Sequence, residues 1–553
     1  MNKYVALLLV LISTTLMGQK QNVILILVDD LGYSDLSSYG GEIQTPAIDS
    51  LGAKGIKMTQ LYNSARCCPT RASLLTGLYP HKTGVGFMTK DQGKPGYRGF
   101  LNDKCMTIAS VLKGAGYKTY LAGKWHLKGL KGQDCLPTSR GFDRFYGPFH
   151  DYADFYMPEL YHSMPEKAFK VNQRPGKFFA SNAITDYALS FLNEARQEEK
   201  PYFLYLAYNA PHFPLQAPKD LIDKYVPTYE KGWDKLRQER LQKMKDLGLV
   251  NQALTLPERG LVAKVDNRNK DSKYYGKQIP AWKSLDSDRQ KDLARRMATF
   301  AAMVENVDQN IALVLSDLKK NNELENTVIF FLSDNGACAE WDPHGFDDNP
   351  YPQNKLYKAD ELAQVGQEKT FHSYGTGWAN LGNTPLQSYK HYSYEGGISS
   401  PFIMYAPKFI KAKKGFDHTP AHVMDLAPTI YSILGATYPK EFKGTELYPL
   451  QGQSLLEVLK KDSPERVLYF EHEGNRAIRQ GQWKAVWVNY KKVWELYNIN
   501  EDRLEENDLA SKMPELVTEL SKKWLDWAEE NFVELQKMSS PSSKMPTIYY
   551  RRK

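Results

Sequence analysis

Cys67 opens the segment richest in reactive side chains, Cys67-Cys68-Pro69-Thr70-Arg71-Ala72-Ser73-Leu74-Leu75-Thr76-Gly77. Pro69 suits the first turn of a helix, and Gly77 suits its end. Cys67 then stands at a helix N-terminus, where negative charge is favoured. Arg71 lies one turn on and can reach back to it. A reactive thiol and a buried structural cysteine both fit these residues. Four other polar clusters each follow an apolar run. Asp29-Asp30 follows Val23–Val28, and Ser333-Asp334-Asn335-Gly336 follows Val328–Leu332. Gly123-Lys124-Trp125-His126 follows Tyr117–Ala122, and Asn209-Ala210-Pro211-His212 follows Tyr202–Ala207. Asp29, Asp30, Asp334 and Asn335 form an oxygen-only set, which suits Ca²⁺ or Mg²⁺ rather than Zn²⁺. Any one of these residues could equally be a cap or turn residue. Their recurrence after four strands is what points to a site.

The runs that position them, together with Phe402–Ala406, are short and continuously apolar. That pattern predicts strands buried on both faces of a parallel sheet. Between them, residues 288–318 place Leu293, Met297, Phe300, Ala301, Val304, Val307, Ile311, Val314 and Leu318 at helical spacing. The alternation predicts an α/β fold. Ligands of open α/β sheets bind beyond the carboxyl ends of the strands. One edge therefore gathers three carboxylates, an amide, a lysine and two histidines. Residues 215–285 are Lys-rich and weakly patterned, and read as a surface excursion with a helix. From about residue 465, short alternating strands and a helix near 514–531 predict a small α+β subdomain.

The chain has 553 residues, of which 42% are hydrophobic and 25% charged, so collagen-like and wholly disordered chains are excluded. The mean hydropathy of −0.54 and a single long apolar run, at the N-terminus, exclude a polytopic membrane protein. The formal charge of +8 is mild for this length, and no nucleic-acid motif accompanies it. Five cysteines are too few for a disulfide scaffold. One disulfide among Cys68, Cys105, Cys135 and Cys338 is allowed, with its pairing open. Lys3 followed by the apolar stretch 4–12 reads as an export signal over residues 1–18, and no cysteine near the cut suggests a lipid anchor. The expected organisation is a signal at 1–18, a catalytic α/β domain at 19–440, an α+β subdomain at 441–535 and a polar basic tail at 536–553. A periplasmic or secreted protein without a membrane anchor follows.

Taken together, these segments resemble the formylglycine-dependent type I sulfatases of the alkaline phosphatase superfamily, nearest the bacterial arylsulfatase type. The resemblance rests on C-x-P-x-R at Cys67–Arg71, on Gly123–His126, and on Ser333–Gly336. It rests also on Lys390 followed by Glu395-Gly396-Gly397, on the framework segment from His422 to Thr429, and on Trp494–Tyr497 with Asn507–Ala510. It spans roughly residues 20–530. It implies a large mixed, mostly parallel sheet sandwiched by helices, with an antiparallel C-terminal subdomain. It implies that Cys67 is oxidised by a formylglycine-generating maturation enzyme to 3-oxoalanine, whose hydrate attacks sulfur. Asp29, Asp30, Asp334, Asn335 and residue 67 would hold one Ca²⁺. Lys124 and Lys390 would bind the sulfate oxygens, Arg71 would orient the nucleophile, His212 would act as acid and His126 as base. His372, Trp378 and His391 could shape the substrate pocket or equally serve packing or surface roles, and His422 belongs to the framework. The activity implied is hydrolysis of sulfate monoesters, of aryl alcohols and of sulfated glycans. Two alternatives remain at this level: a formylglycine-dependent phosphodiester or phosphonate monoester hydrolase, and an inactive binder of sulfated glycans. The oligomeric state is open.

Overall fold

The computed structural model describes residues 20–129, 135–150, 152–165, 171, 173–262, 273–339, 342–347, 354–460 and 466–535. Residues 1–18, read as an export signal, and the expected tail 536–553 lie outside the described residues. Nine strands form the main sheet: β1 (Asn22–Val28), β2 (Ile56–Tyr62), β3 (Lys118–Gly123), β4 (Arg144–Gly147), β5 (His162–Met164), β6 (Tyr202–Ala207), β7 (Thr327–Ser333), β8 (Ser399–Tyr405) and β9 (Ala421–His422). Their order is β5-β4-β3-β6-β1-β7-β8-β2-β9. β1 lies between β6 and β7, parallel to both, with Val23 opposite Phe203 and Val328.

The continuous apolar runs have a simple cause. Alternate residues of β1 face different cores: Ile24, Ile26 and Val28 one, Val23, Leu25 and Leu27 the other. The first core is closed by α1 (Pro46–Lys54). On the opposite face lies α2 (Cys67–Thr76), with the helices Ile108–Gly114 and Leu426–Leu434. The first core also takes in α3 (Ala180–Gln197) and the long helix Ser287–Lys320.

Four strands escaped the sequence reading. β2 (IKMTQLY) is almost wholly buried although Lys57, Thr59 and Gln60 interrupt its apolar run. β4, β5 and β9 are too short to show a period. Another difference concerns direction. β8, read as one of the parallel runs, is antiparallel to both β7 and β2. Its entry end therefore shares an edge with the exit ends of β1, β2, β3, β6 and β7.

The 215–285 excursion is not a surface appendage. Its helices α4 (Lys219–Tyr229) and α5 (Trp233–Asp246) bury Ile222, Tyr225, Tyr229, Trp233, Leu236 and Met244 in the main core. Arg240, also buried, pairs with Asp35 at 2.7 Å and with Glu42 at 2.7 Å. The sequence looked weakly patterned because aromatic rings and a paired arginine share these positions with aliphatics. Helix α4 packs on α6 (Ser287–Lys320), which runs on past the expected helix at each end, and α5 packs on the short helix Thr376–Gly382.

The C-terminal sheet is an antiparallel meander of β10 (Val467–His472), β11 (Asn475–Gln480), β12 (Trp483–Trp487) and β13 (Trp494–Asn498). Helix α7 (Pro514–Glu530) covers it through Leu520, Trp524 and Trp527. Tyr62, Tyr392, Tyr394 and Ile398 belong to the same core, so the subdomain packs against the loops of β2 and β8. Buried Glu395 ties the two parts together. It accepts from Tyr62 at 3.0 Å, Lys484 at 2.9 Å and Arg503 at 3.1 Å.

Candidate active site

The shared edge places the chemistry. β1 delivers Asp29 and Asp30, β7 delivers Asp334 and Asn335, and the exit of β2 leads to Cys67. β3 ends at Lys124 and His126, β6 leads to His212, and the segment before β8 supplies Lys390. Glycine permits two of these approaches. A Cβ on Gly123, which sits at φ +119°, would lie 1.8 Å from the Ala207 carbonyl oxygen. One on Gly336 would lie 1.8 Å from the Gly396 carbonyl oxygen. The Gly336 contact presses the segment after Asp334 directly onto the Glu395-Gly396-Gly397 turn.

Cys67 begins α2, preceded by extended Arg66, and the helix closes at Gly77 in the left-handed conformation. Arg71 is buried inside the site. Its guanidinium donates to Asp334 Oδ2 at 2.8 and 3.1 Å and to the Lys124 carbonyl at 3.1 Å, and lies 3.4 Å from Asp29 Oδ2. Lys124 Nζ donates to Asp29 Oδ2 at 2.5 Å. Lys390 Nζ donates to both oxygens of Asp30, at 2.7 and 2.9 Å. Asn335 Nδ2 donates to Asp30 Oδ1 at 2.6 Å, and the Asp30 amide faces Asp334 Oδ1 at 3.3 Å. Asp30 (φ 68°), His126 (φ 55°) and His391 (φ 82°) all take the left-handed backbone region. Such strain persists only where surrounding contacts hold it, and it clusters at functional sites.

His212 Nδ1 lies 2.6 Å from the Phe213 carbonyl, which can only accept, so this nitrogen carries the proton. Its Nε2 then points at Asp30 Oδ2, 3.4 Å away.

The electrostatics are those of a site short of positive charge. Burial pushes Asp334 well above the usual carboxylate range, and Asp29, Cys67 and Asp30 add to this against Arg71. Burial acts the same way on Asp29, but Lys124, His212 and Arg71 overcome it and hold that carboxyl low. Burial also works against the Cys67 thiolate; the Cys68 thiol, His126, Lys124 and Lys390 outweigh it and hold the thiol well below its ordinary range. Burial disfavours the charge on Lys390, which Asp30 more than restores.

A hard cation fits this donor set. Asp29 Oδ1 and Asn335 Oδ1 are buried and find no hydrogen-bond donor among the described residues. Ligand atoms of Asp29, Asp30 and His212 lie within 4.8 Å of one another. Asp334 and Asn335 join them through Asp30. A dication among these oxygens would favour the ionised form of Asp334 against its burial and against the neighbouring carboxylates.

Of the three residues expected to shape the pocket, His391 is close to the nucleophile. Its amide donates to the Ala65 carbonyl at 2.9 Å, and its ring bonds Arg66 and, at 2.7 Å, Glu473. Trp378 is elsewhere. Its ring is fully buried against Tyr229, Trp233 and Trp282, and its Nε1 donates to the Leu293 carbonyl at 2.8 Å. That is a core position, reached because the short helix Thr376–Gly382 turns its indole toward α5 and α6. His372 is also fully buried. Its carbonyl accepts from Leu215, and Arg296 and Arg295 of α6 join burial in holding its ring neutral. The five cysteines are buried, and no disulfide joins them.

Sequence reasoning missed Arg66, His472 and Glu473. Arg66 adjoins Cys67 and was visible. His472 and Glu473 come from the C-terminal sheet, with the His472 ring 5.7 Å from that of His391, and no local signal could place them. Asn383 was missed as well. Its side chain accepts from Tyr33 and Ala337 and donates to the Ser388 and Gly396 carbonyls, pinning the Lys390 segment.

The chain matches the Sulfatase family over residues 21–436, and over residues 388–530 it matches the family described as N-sulphoglucosamine sulphohydrolase, C-terminal. It is 34% identical over 553 residues to an uncharacterized sulfatase of Schizosaccharomyces pombe, covering 93% of this chain and 95% of that protein. It is 33% identical over 448 residues to an arylsulfatase of Klebsiella aerogenes, covering 79% and 91% respectively. The solved structure of Ps i-CgsB superposes with a TM-score of 0.64 at 26% identity, covering 93% of this chain and 94% of that one. That protein has also been solved in complex with k-i-k-neocarrahexaose. By family, homologues and fold, the chain belongs to the sulfatases of the alkaline phosphatase-like superfamily and is a sulfuric ester hydrolase.

Proposed function

We propose that this sulfatase hydrolyses sulfate monoesters of aryl alcohols and of sulfated glycans, using a formylglycine made from Cys67 and one bound Ca²⁺. The observation that carries this reading is the position of Cys67, at a helix start beside an oxygen-only cluster with two unpartnered buried oxygens. When present, the aldehyde hydrate supplies an oxygen nucleophile and the cation supplies charge stabilisation.

The chain's own groups do the rest. Lys124 and Lys390 hold their ammonium groups over Asp29 and Asp30, already desolvated and oriented, and receive the anionic oxygens of the ester. Arg71 keeps Asp334 and Asp29 in register. The charge count is consistent: three carboxylates against Arg71, Lys124 and Lys390 leave no surplus, so a dication brings the positive charge that a sulfate ester needs. His212, the least buried of these groups, takes a proton on Nε2 and delivers it to the leaving oxygen. His126, close enough to Cys67 to lower its thiol, takes the proton released on the nucleophile side.

The similarity to the arylsulfatase of Klebsiella aerogenes supports aryl esters, and the oligosaccharide complex of Ps i-CgsB supports a glycan. Export to the periplasm or beyond rests on the apolar segment 4–12, and maturation requires a formylglycine-generating enzyme as partner. The test is mass spectrometry of the tryptic peptide 67–71 from protein made in its native host, beside turnover of nitrophenyl sulfate. A loss of about 18 Da relative to the thiol peptide is expected, as for an activated nucleophile of this kind. An unmodified thiol in active protein overturns the proposal.

A further inference from the structure

Behind the Lys390 segment lies a cavity of about 340 Å³, lined by none of the residues of the catalytic cluster. Three stretches of chain meet there. Arg237 and residues 257–262 come from the excursion, Asn380 and residues 385–389 from the main domain, and Tyr490 and Lys491 from the C-terminal subdomain. Such junctions are where ligand pockets form, and this volume lies within their usual range. Tyr389 faces the cavity while its neighbour Lys390 faces Asp30, so one segment separates the cavity from the catalytic cluster.

The lining has the chemistry of a sugar site. Exposed Tyr490 and the largely buried Tyr389, Tyr392 and Tyr394 line the cavity. Arg237 is buried, its Nη2 donates to the Pro257 and Glu258 carbonyls, and its Nε finds no acceptor among the described residues. No ion pair offsets its charge among those residues. The other cations are engaged: Arg259 pairs with Asp234 at 3.2 Å, and Lys491 with Glu495 at 2.6 Å. Glu258 and Glu506 add acceptors. A guanidinium donor, carboxylate acceptors and an exposed tyrosine together match the alternating polar rim and apolar face of a pyranose ring. The mixed charge does not suit a bare anion.

We infer that this cavity is a carbohydrate-binding subsite, separate from the reaction centre, that takes one pyranose unit. Naming a sugar rests on the glycan reading above. The test uses Cys67→Ala protein, which cannot turn over, titrated calorimetrically with galactose, glucose and N-acetylglucosamine, each with and without a 6-sulfate. Unsulfated sugars isolate the cavity, because the catalytic cluster is built for sulfate. Tyr490→Ala removes a side chain that is 43% exposed, so folding is not at stake. Arg237→Lys keeps the charge and loses Nε. Binding of at least one sugar, weakened at least about tenfold by each substitution, is the expected result. If a 6-sulfate is required for the Arg237-dependent part, the unit is a sulfated one. Absence of sugar binding, or binding that neither substitution alters, overturns the inference. Turnover of nitrophenyl sulfate by the matured wild-type enzyme is read separately, so failure of the subsite and failure of the proposed reaction are told apart.

Discussion

Gly336→Ala tests whether the two turns that touch behind the cation cluster set its geometry. Gly336 has no positive φ, so the cost of a methyl group there is steric. The added Cβ would lie 1.8 Å from the Gly396 carbonyl oxygen and 3.1 Å from Asn383 Nδ2. It would thus also crowd the 2.7 Å bond that Asn383 Nδ2 donates to that carbonyl. A relaxed C···O contact of about 3.3 Å requires the two backbones to part by about 1.5 Å. Neither atom is the tip of a flexible side chain, so the backbone itself must move. Overpacking of this kind costs about 1–3 kcal/mol. The functional cost is larger, because Asp334 and Asn335 lie on one side of the contact and Lys390 on the other. A misplacement of roughly 1 Å at a reacting centre lowers the rate by about 100-fold. The expected outcome is a modest fall in Tm with a fall in kcat/KM on nitrophenyl sulfate of about two orders of magnitude. Gly114→Ala is the control, since its Cβ meets nothing within 4 Å. Full kcat/KM in Gly336→Ala protein of unchanged Tm would refute the claim that this contact positions the site.

Calcium should stabilise the protein, because the carboxylates of Asp29, Asp30 and Asp334 crowd one another. Dialysis against EDTA should lower Tm and re-addition of Ca²⁺ restore it, with about 2.7 kcal/mol at stake when the ion is at 100 times its Kd. A Tm independent of calcium would count against the cluster as a cation site. Trp378→Ala should cost about 3–5 kcal/mol in denaturant unfolding and leave kcat/KM per folded molecule unchanged, since the indole fills the core. Selective loss of activity at unchanged stability would return Trp378 to the substrate pocket. Acid should destabilise the fold through His422. Burial holds its ring at about 3, with Arg466 assisting, while Nδ1 accepts from the Met424 amide. A histidine with a lowered folded pKa gives up stability as pH falls below its unfolded value near 6.5 and down toward 3. The slope expected from this one group is about 1.4 kcal/mol per pH unit, and His422→Gln should flatten it in pH-dependent unfolding.

Much of the site could be read along the chain because its parts are local. Continuous apolar runs such as Val23–Val28 and Val328–Leu332 announce strands buried on both faces, and polar residues directly after them fall at the ligand-binding edge of a parallel sheet. Cys67, Pro69, Arg71 and Gly77 sit within three helical turns, so short-range helix rules orient them. Lys390 is different: its place was legible by resemblance alone. Only the antiparallel β8 brings its segment back to the edge where β1 and β7 end, and strand direction is not written in an apolar run. β2 stayed hidden because Lys57, Thr59 and Gln60 break its pattern while the tertiary packing buries it. Trp378 is the converse case: the sequence left a pocket or a packing role open, and the tertiary structure buries its ring in the core. The junction of Arg66 and His391 with His472 and Glu473 joins residues up to 407 positions apart. Local composition determines which elements form and which edge carries the chemistry. The choice of long-range neighbours depends on how whole faces pack, and no window of sequence contains that information.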